Sequence, residues 1–311
     1  MVRKVSLTAI RICAVCVVFA VCFVVGGALS GLGKAAQQAS PQSPNNLLGP
    51  LAIFSVSVGV VLAYLILRSS WHGWALVGAI FVGLYGISTV ATQVETVYFL
   101  SNKLGPGIIR GLFLQGAITA ALFAPLAVLL LGKWRAPSST PSASTILTTS
   151  PVVKTSSSTT RLAVSVTGRL ALIVAAFVFL YMFFGYYVAW QSVAVRQYYG
   201  GPEQPSFFAA LKINWMSNPS LYALQLFRAL LYAGCMYPLI RMLRVARWER
   251  ALAMALFLSV WTTILLLPNP LMPPEVASAH FRETMGFSIV FGGLAGWLLG
   301  KQPSSAGSAA A

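Results

Sequence analysis

Eight apolar stretches of nearly membrane-spanning length recur along this chain, and short turns holding most of its basic residues separate them. They cover 12–29, 47–67, 74–100, 111–131, 162–190, 220–240, 251–267 and 281–300. A hydrocarbon core of about 30 Å takes roughly 20 helical residues. A pattern of this kind predicts an all-α fold: a polytopic integral membrane helix bundle with about eight transmembrane helices. Composition agrees, because only 8% of the residues are charged, against about 25% in a soluble chain. The acids are Glu95, Glu203, Glu249, Glu275 and Glu283, with no aspartate.

The formal net charge of +16 does not point to nucleic acid. The Lys and Arg residues sit in clusters between apolar runs, where topology signals lie. With the N-terminus placed in the cytoplasm, 14 of the 21 basic residues fall inside. They include Arg3, Lys4 and Arg11, Lys133 and Arg135, and the row Arg241, Arg244, Arg247 and Arg250. This bias predicts a multi-pass protein of a bacterial-type plasma (inner) membrane, with both termini cytoplasmic. The expected partners are the lipid bilayer and, at the inner Arg-rich turns, anionic lipid. The first apolar run also resembles a signal sequence, but its length favours an uncleaved helix. Cys13 and Cys16 have C-x-x-C spacing in wholly apolar surroundings, where small buried side chains are expected.

The organisation is bipartite. Residues 1–135 form a first membrane half of four helices, and 136–161 form a Ser/Thr/Pro-rich cytoplasmic linker. Residues 162–301 form a second half of four helices, and 302–311 a disordered tail. Between the fifth and sixth spans, 206–215 reads as a helix lying in the outer interface, with Phe207, Phe208, Leu211 and Trp215 on one face. The halves invite comparison as a 4+4 repeat. The second and sixth spans both end in basic turns, and the fourth and eighth both begin after an Arg (Arg110, Arg282). No interruption within a span is evident in the sequence.

The remaining polar residues converge in depth. At about 1.5 Å per helical residue, Glu283 lies roughly 27 Å from Lys301, near the outer edge of the core. Glu95, in the third span, reaches the same boundary about 31 Å from Trp74 by the same rise. In the sixth span Gln225 and Arg228 share a face, with Arg228 about 20 Å above Arg241. His280 stands one helical turn before Glu283. Glu95, Gln225, Arg228, His280 and Glu283 therefore form a candidate polar pocket opening outward. Gln115 and Thr119 of the fourth span add weaker groups at that level.

An arginine in mid-membrane costs about 2.5–3.5 kcal/mol on insertion scales and seeks a partner or water. Glu95 and Glu283 are the acids at its depth. Three functions fit this set. The first is a permease-like bundle whose pocket takes an anionic or proton-coupled solute. The second is a membrane-embedded enzyme with a Glu/His acid-base or metal site. The third is a structural, sensor or assembly subunit in which Arg228 and a glutamate form an ion pair. No cofactor is expected, save that Glu95, His280 and Glu283 are of a type that a divalent metal accepts.

Overall fold

The computed structural model of the protein describes residues 2–32, 47–104, 106–136, 157–201, 204–267 and 272–300. The polar loop after the first span, most of the linker, part of the proline-rich turn and the tail lie outside the described residues.

The chain is a polytopic membrane bundle of α-helices. These are α1 (Val2–Leu29), α2 (Leu48–Arg68), α3 (Gly73–Tyr85), α4 (Thr92–Leu100), α5 (Pro106–Leu130) and α6 (Ser157–Phe184). The short helices α7 (Val193–Tyr199) and α8 (Phe207–Ser217) follow, then α9 (Pro219–Met242), α10 (Arg247–Val260) and α11 (Pro274–Leu299). Among the described residues, seven helical stretches are long and apolar enough to cross a membrane, the last being Arg247–Leu266.

The eighth span expected from sequence is α11, which falls outside those seven. Its 26 residues give ample length, about 39 Å. Glu275, His280, Arg282 and Glu283 in its first ten residues make it too polar by composition. It nevertheless lies antiparallel against α10 along most of that span. Thr262 reaches Met285 at 3.7 Å. A Cβ on Gly292 would stand 2.6 Å from the Met254 carbonyl, and one on Gly296 2.7 Å from that of Arg250. Only glycine permits this backbone approach.

Two ends of the bundle differ in charge. At the basic end Ser69 and Leu243 form an isolated antiparallel bridge, Gly73 N–H donates to the Lys133 carbonyl, and Arg68 pairs with Glu249. Three arginines there satisfy the closing carbonyls of α11. Arg250 donates to Gly296 (3.3 Å), Arg247 to Trp297 (3.0 Å) and Arg169 to Leu298 (3.4 Å). Cations at a helix C-terminus also meet the negative end of its dipole. Much of the arginine cluster therefore serves this cap. At the opposite, polar end lie Glu95, Lys103, Tyr199, His280 and Glu283, joined by the contacts described below.

Packing in the second half repeats that of the first. Helix α1 contacts α2 and α5, and α6 contacts α9 and α11. Helix α3 contacts α5, and α10 contacts α11. Across the halves α3 meets α9 and α2 meets α10. Single contacts keep the same register. Phe19 meets Phe123 at 5.3 Å, and Phe177 meets Phe291 at 5.0 Å, both edge-on. Phe23 lies 5.1 Å from Phe54, and Tyr181 lies 5.7 Å from the Arg228 guanidinium. The partners lie 158 residues on from α1 to α6, 174 from α2 to α9 and 168 from α5 to α11. The last shift aligns Pro106 with Pro274 and Gln115 with Glu283, not Arg110 with Arg282 as the sequence comparison suggests.

The spans are not continuous, contrary to the sequence expectation. The third passes through a π-helix at Gly86–Ala91, the fifth through one at Gly185–Ala189, and the seventh tightens into a 3-10 helix at Trp261–Leu266. Side-chain hydroxyls accommodate the changes. Ser88 Oγ donates to the Leu84 carbonyl (2.6 Å), Thr92 to Ile87 (3.2 Å), Thr262 to Ser259 (2.7 Å) and Thr263 to Val260 (2.5 Å). Such bonds occupy carbonyls that water cannot reach in lipid. Gly86 lets Cys235 of α9 press directly on the π-helix backbone. The third- and seventh-span helices begin at Gly73 and Arg247, also 174 residues apart, and at that shift Ser88 and Thr89 of one interruption correspond to Thr262 and Thr263 of the other.

Candidate functional site

Arg228 is the centre of the polar end. It lies 5% exposed on α9, on the face that meets the third span. The π-helix shifts backbone bonding there, and Arg228 Nε donates to the carbonyl of Ala91, its last residue, at 3.1 Å. Arg228 Nη1 donates to Gln225 Oε1 one turn earlier at 2.9 Å. Nη2 pairs with Glu95 Oε2 at 2.6 Å. Phe177 and Tyr181 of α6 cover the guanidinium at 5.9 and 5.7 Å. A cation buried in an apolar bundle needs this combination of ion pair, neutral acceptors and ring faces.

Its partners are unequal. Gln225 is fully buried, and its Nε2 amide group has no hydrogen-bond partner. Glu95 keeps 28% of its side chain exposed against 7% for Arg228. The ion pair thus has a buried cation and a carboxylate within reach of the polar end.

His280 and Glu283 make a second pair on α11. His280 Nδ1 lies 2.7 Å from Glu283 Oε2, and the other ring nitrogen lies 3.2 Å from the Tyr199 hydroxyl. Glu283 Oε1 faces Gly185 at the π-helix that ends the fifth span. Burial, with Glu95, Tyr198 and Glu283 nearby, pushes the Tyr199 phenol well up, so it stands as a neutral hydroxyl. Lys103 brings the loop after α4 onto this corner, donating to the Tyr198 carbonyl at 2.6 Å with its ammonium 4.0 Å from the Tyr198 ring.

All five candidates from the sequence stand at this end, Glu95 and Gln225 on Arg228 and His280 with Glu283. Of the two acids level with Arg228, the structure pairs Glu95 with it and gives Glu283 to His280. The metal set Glu95, His280 and Glu283 is not assembled: no group of three His, Cys, Asp or Glu side chains that could hold an ion occurs among the described residues. Each carboxylate is turned to its own cationic or imidazole partner instead. Gln115 and Thr119 belong elsewhere, bonded to the carbonyls of Phe23 and Cys22 across the α1–α5 contact at 3.4 Å each.

Three tyrosines lie outside the five candidates, although Tyr232 shares the helical face of Gln225 and Arg228 in the sequence. Tyr181 lies with its ring 5.7 Å from the Arg228 guanidinium, Tyr232 packs on Phe177 at 5.2 Å beside it, and Tyr199 anchors His280. Tyr181 and Tyr232 lie within spans, where a phenol seeks a partner, and that was the available signal. Tyr199 instead reads as part of an interfacial belt because α7, which turns it inward, has no apolar period of its own.

The chain has no counterpart by comparison. No protein-family model matches it, and no curated protein or solved structure is significantly similar to it. Its function is therefore argued from the site alone.

Proposed function

We propose that the protein is a permease-like bundle that moves a small anionic or proton-coupled solute, with Arg228 at its binding site. One observation carries this reading. The buried arginine sits against the interruption of the third span, and the seventh span of the other half is interrupted at the matching place. Interrupted helices at corresponding positions of two repeats mark solute sites in transporters, and ionisable residues within spans mark their pathways. In a repeat of four spans per half, the halves share one orientation, are related by an axis along the membrane normal, and can rock against each other around a site between them. The Ser69–Leu243 bridge joins equivalent residues of the two halves and lies near such an axis.

The charge bias supports a bacterial-type plasma membrane with both termini cytoplasmic, so the Arg228 site opens outward. Arg244 and the other exposed basic side chains then face anionic lipid. The test is uptake into proteoliposomes holding the purified protein, screened with radiolabelled carboxylates, phosphate and amino acids, with and without a pH gradient. Saturable, protein-dependent uptake of an anion is expected. Uptake equal to that of empty vesicles for the whole panel refutes the reading.

A further inference from the structure

The site already contains a carboxylate, that of Glu95, and around it an unused donor. Gln225 turns its oxygen to Arg228, so its Nε2 group points elsewhere, fully buried and unpartnered. A buried donor of this kind calls for an acceptor. Arg228 is fixed by Ala91 and Gln225 independently of Glu95. Losing the ion pair therefore leaves the guanidinium in place with one face open. Glu95, 28% exposed, has room to turn away.

We propose that Arg228 and Gln225 form a binding site for a monocarboxylate, that Glu95 fills it in this state, and that ligand and one proton enter together. The ligand takes over the Arg228 ion pair and accepts from Gln225 Nε2, while the proton goes to Glu95. This deepens the permease reading and rests on it for direction of movement, but the binding step stands on its own.

Charge balance sets the proton count. The groups facing the pair are Tyr181 from α6, Tyr199 from α7, Tyr232 and Cys235 from α9, and His280 with Glu283 from α11. Arg228 is the fixed cation among them, His280 is held by Glu283, and Lys103, at the rim of this corner, is held by the Tyr198 carbonyl. A ligand carboxylate added beside an ionised Glu95 would place two anions on one cation. Like charges sharing a buried site do not both stay ionised. Protonating Glu95 restores the balance without moving another element. Shape selects the ligand class as well. A planar monoanion replaces the planar monoanion that leaves, whereas phosphate near neutral pH adds further charge.

Calorimetry on the full-length protein in nanodiscs tests this, with acetate and benzoate as probes and succinate and inorganic phosphate as contrasts. Each titration is run in two buffers of different ionisation enthalpy, which counts protons taken up. The expected result is saturable carboxylate binding with about one proton per ligand, and affinity falling with rising pH by up to about tenfold per unit, the slope that one coupled proton gives. Glu95→Gln is expected to bind carboxylate with no proton uptake and a flat pH profile. Gln225→Leu is expected to bind about tenfold more weakly. Carboxylate binding without proton uptake by the wild type, equal uptake by Glu95→Gln, preference for phosphate, or no saturable binding of any carboxylate overturns the proposal. Binding as expected without vesicle flux would instead overturn the permease reading alone. Flux of another solute without carboxylate binding would do the reverse.

Discussion

Replacing Arg228 by leucine isolates what the buried pair contributes to folding. The change leaves Glu95 without its cation and the Gln225 oxygen and Ala91 carbonyl without their donor. Removing one partner of a buried ion pair destabilises by about 3–5 kcal/mol. Glu95 is 28% exposed and can turn toward the polar end, which argues for the lower figure, about 3 kcal/mol. Adding Glu95→Leu removes the stranded charge but leaves both neutral acceptors unpaired. Unpaired acceptors cost about 1–3 kcal/mol each in a dry site; with both at the low end, the double variant is expected to recover about 1 kcal/mol of the loss. Arg228→Leu with Glu283→Leu is expected to recover nothing, because Glu283 bonds His280. Equilibrium unfolding in mixed micelles across a denaturing detergent series measures these variants, Glu95→Leu alone and the wild type. Rescue by Glu283→Leu rather than Glu95→Leu, or a Glu95 double variant as unstable as the two single losses added, refutes the pairing and the argument built on it.

Helix contacts and topology give further expectations. Gly296→Ala would drive a methyl into the backbone of Arg250 and Ala251 and is expected to destabilise by about 1–3 kcal/mol. Gly293→Ala, which meets nothing within 4 Å, should stay within about 0.5 kcal/mol; the same unfolding assay compares them. Single cysteines at Lys103 and Arg244, in a background lacking the four native cysteines, should label from opposite faces of sealed spheroplasts with a membrane-impermeant maleimide. Labelling of both from one face contradicts the two-ended arrangement. Tyr199→Phe removes the hydroxyl bonded to His280 and is expected to slow any flux at least severalfold while leaving the folded fraction unchanged by gel filtration.

Much of the bundle is legible because lipid demands it. A run such as 111–131 has no stable alternative to helix, and α8 appears where one apolar face and Pro205-Ser206 place it, at Phe207–Ser217. The depth of Arg228 is likewise fixed by its distance along α9 from the basic turn. What depth does not fix is azimuth. Glu95 and Glu283 lie level with Arg228, and it is Glu95, one turn beyond the π-helix, that faces it. That π-helix has a weak sequence signal, Gly86 followed by Ser88 and Thr89, which also suits an ordinary α-helix. Seven spans stand out by composition where eight apolar runs were read. Helix α11 owes its place to glycine contacts with α10, which no hydropathy average registers.

The recurrence between halves is hard to see in sequence for a related reason. Its shifts differ from helix to helix, and its key positions have diverged in chemistry. Phe23 answers to Tyr181, Phe54 to Arg228 and Gln115 to Glu283. The first-half counterpart of the site is thus an aromatic cluster in which Phe23, Phe54 and Trp261 pack at 5.1 and 6.3 Å. Polarity survives in one half alone, which suits a single solute site in a two-part bundle.

Flux through that site follows most directly from a solute held by Arg228. Proteoliposomes holding wild-type protein or Arg228→Lys should be compared for initial anion uptake under an inward proton gradient, with folded protein matched by gel filtration. Lysine keeps the charge but cannot bond Ala91, Gln225 and an anion in the fixed geometry of the guanidinium. Saturable wild-type uptake reduced at least tenfold in Arg228→Lys is the predicted result. Equal uptake by the two proteins would contradict the claim that Arg228 holds the solute.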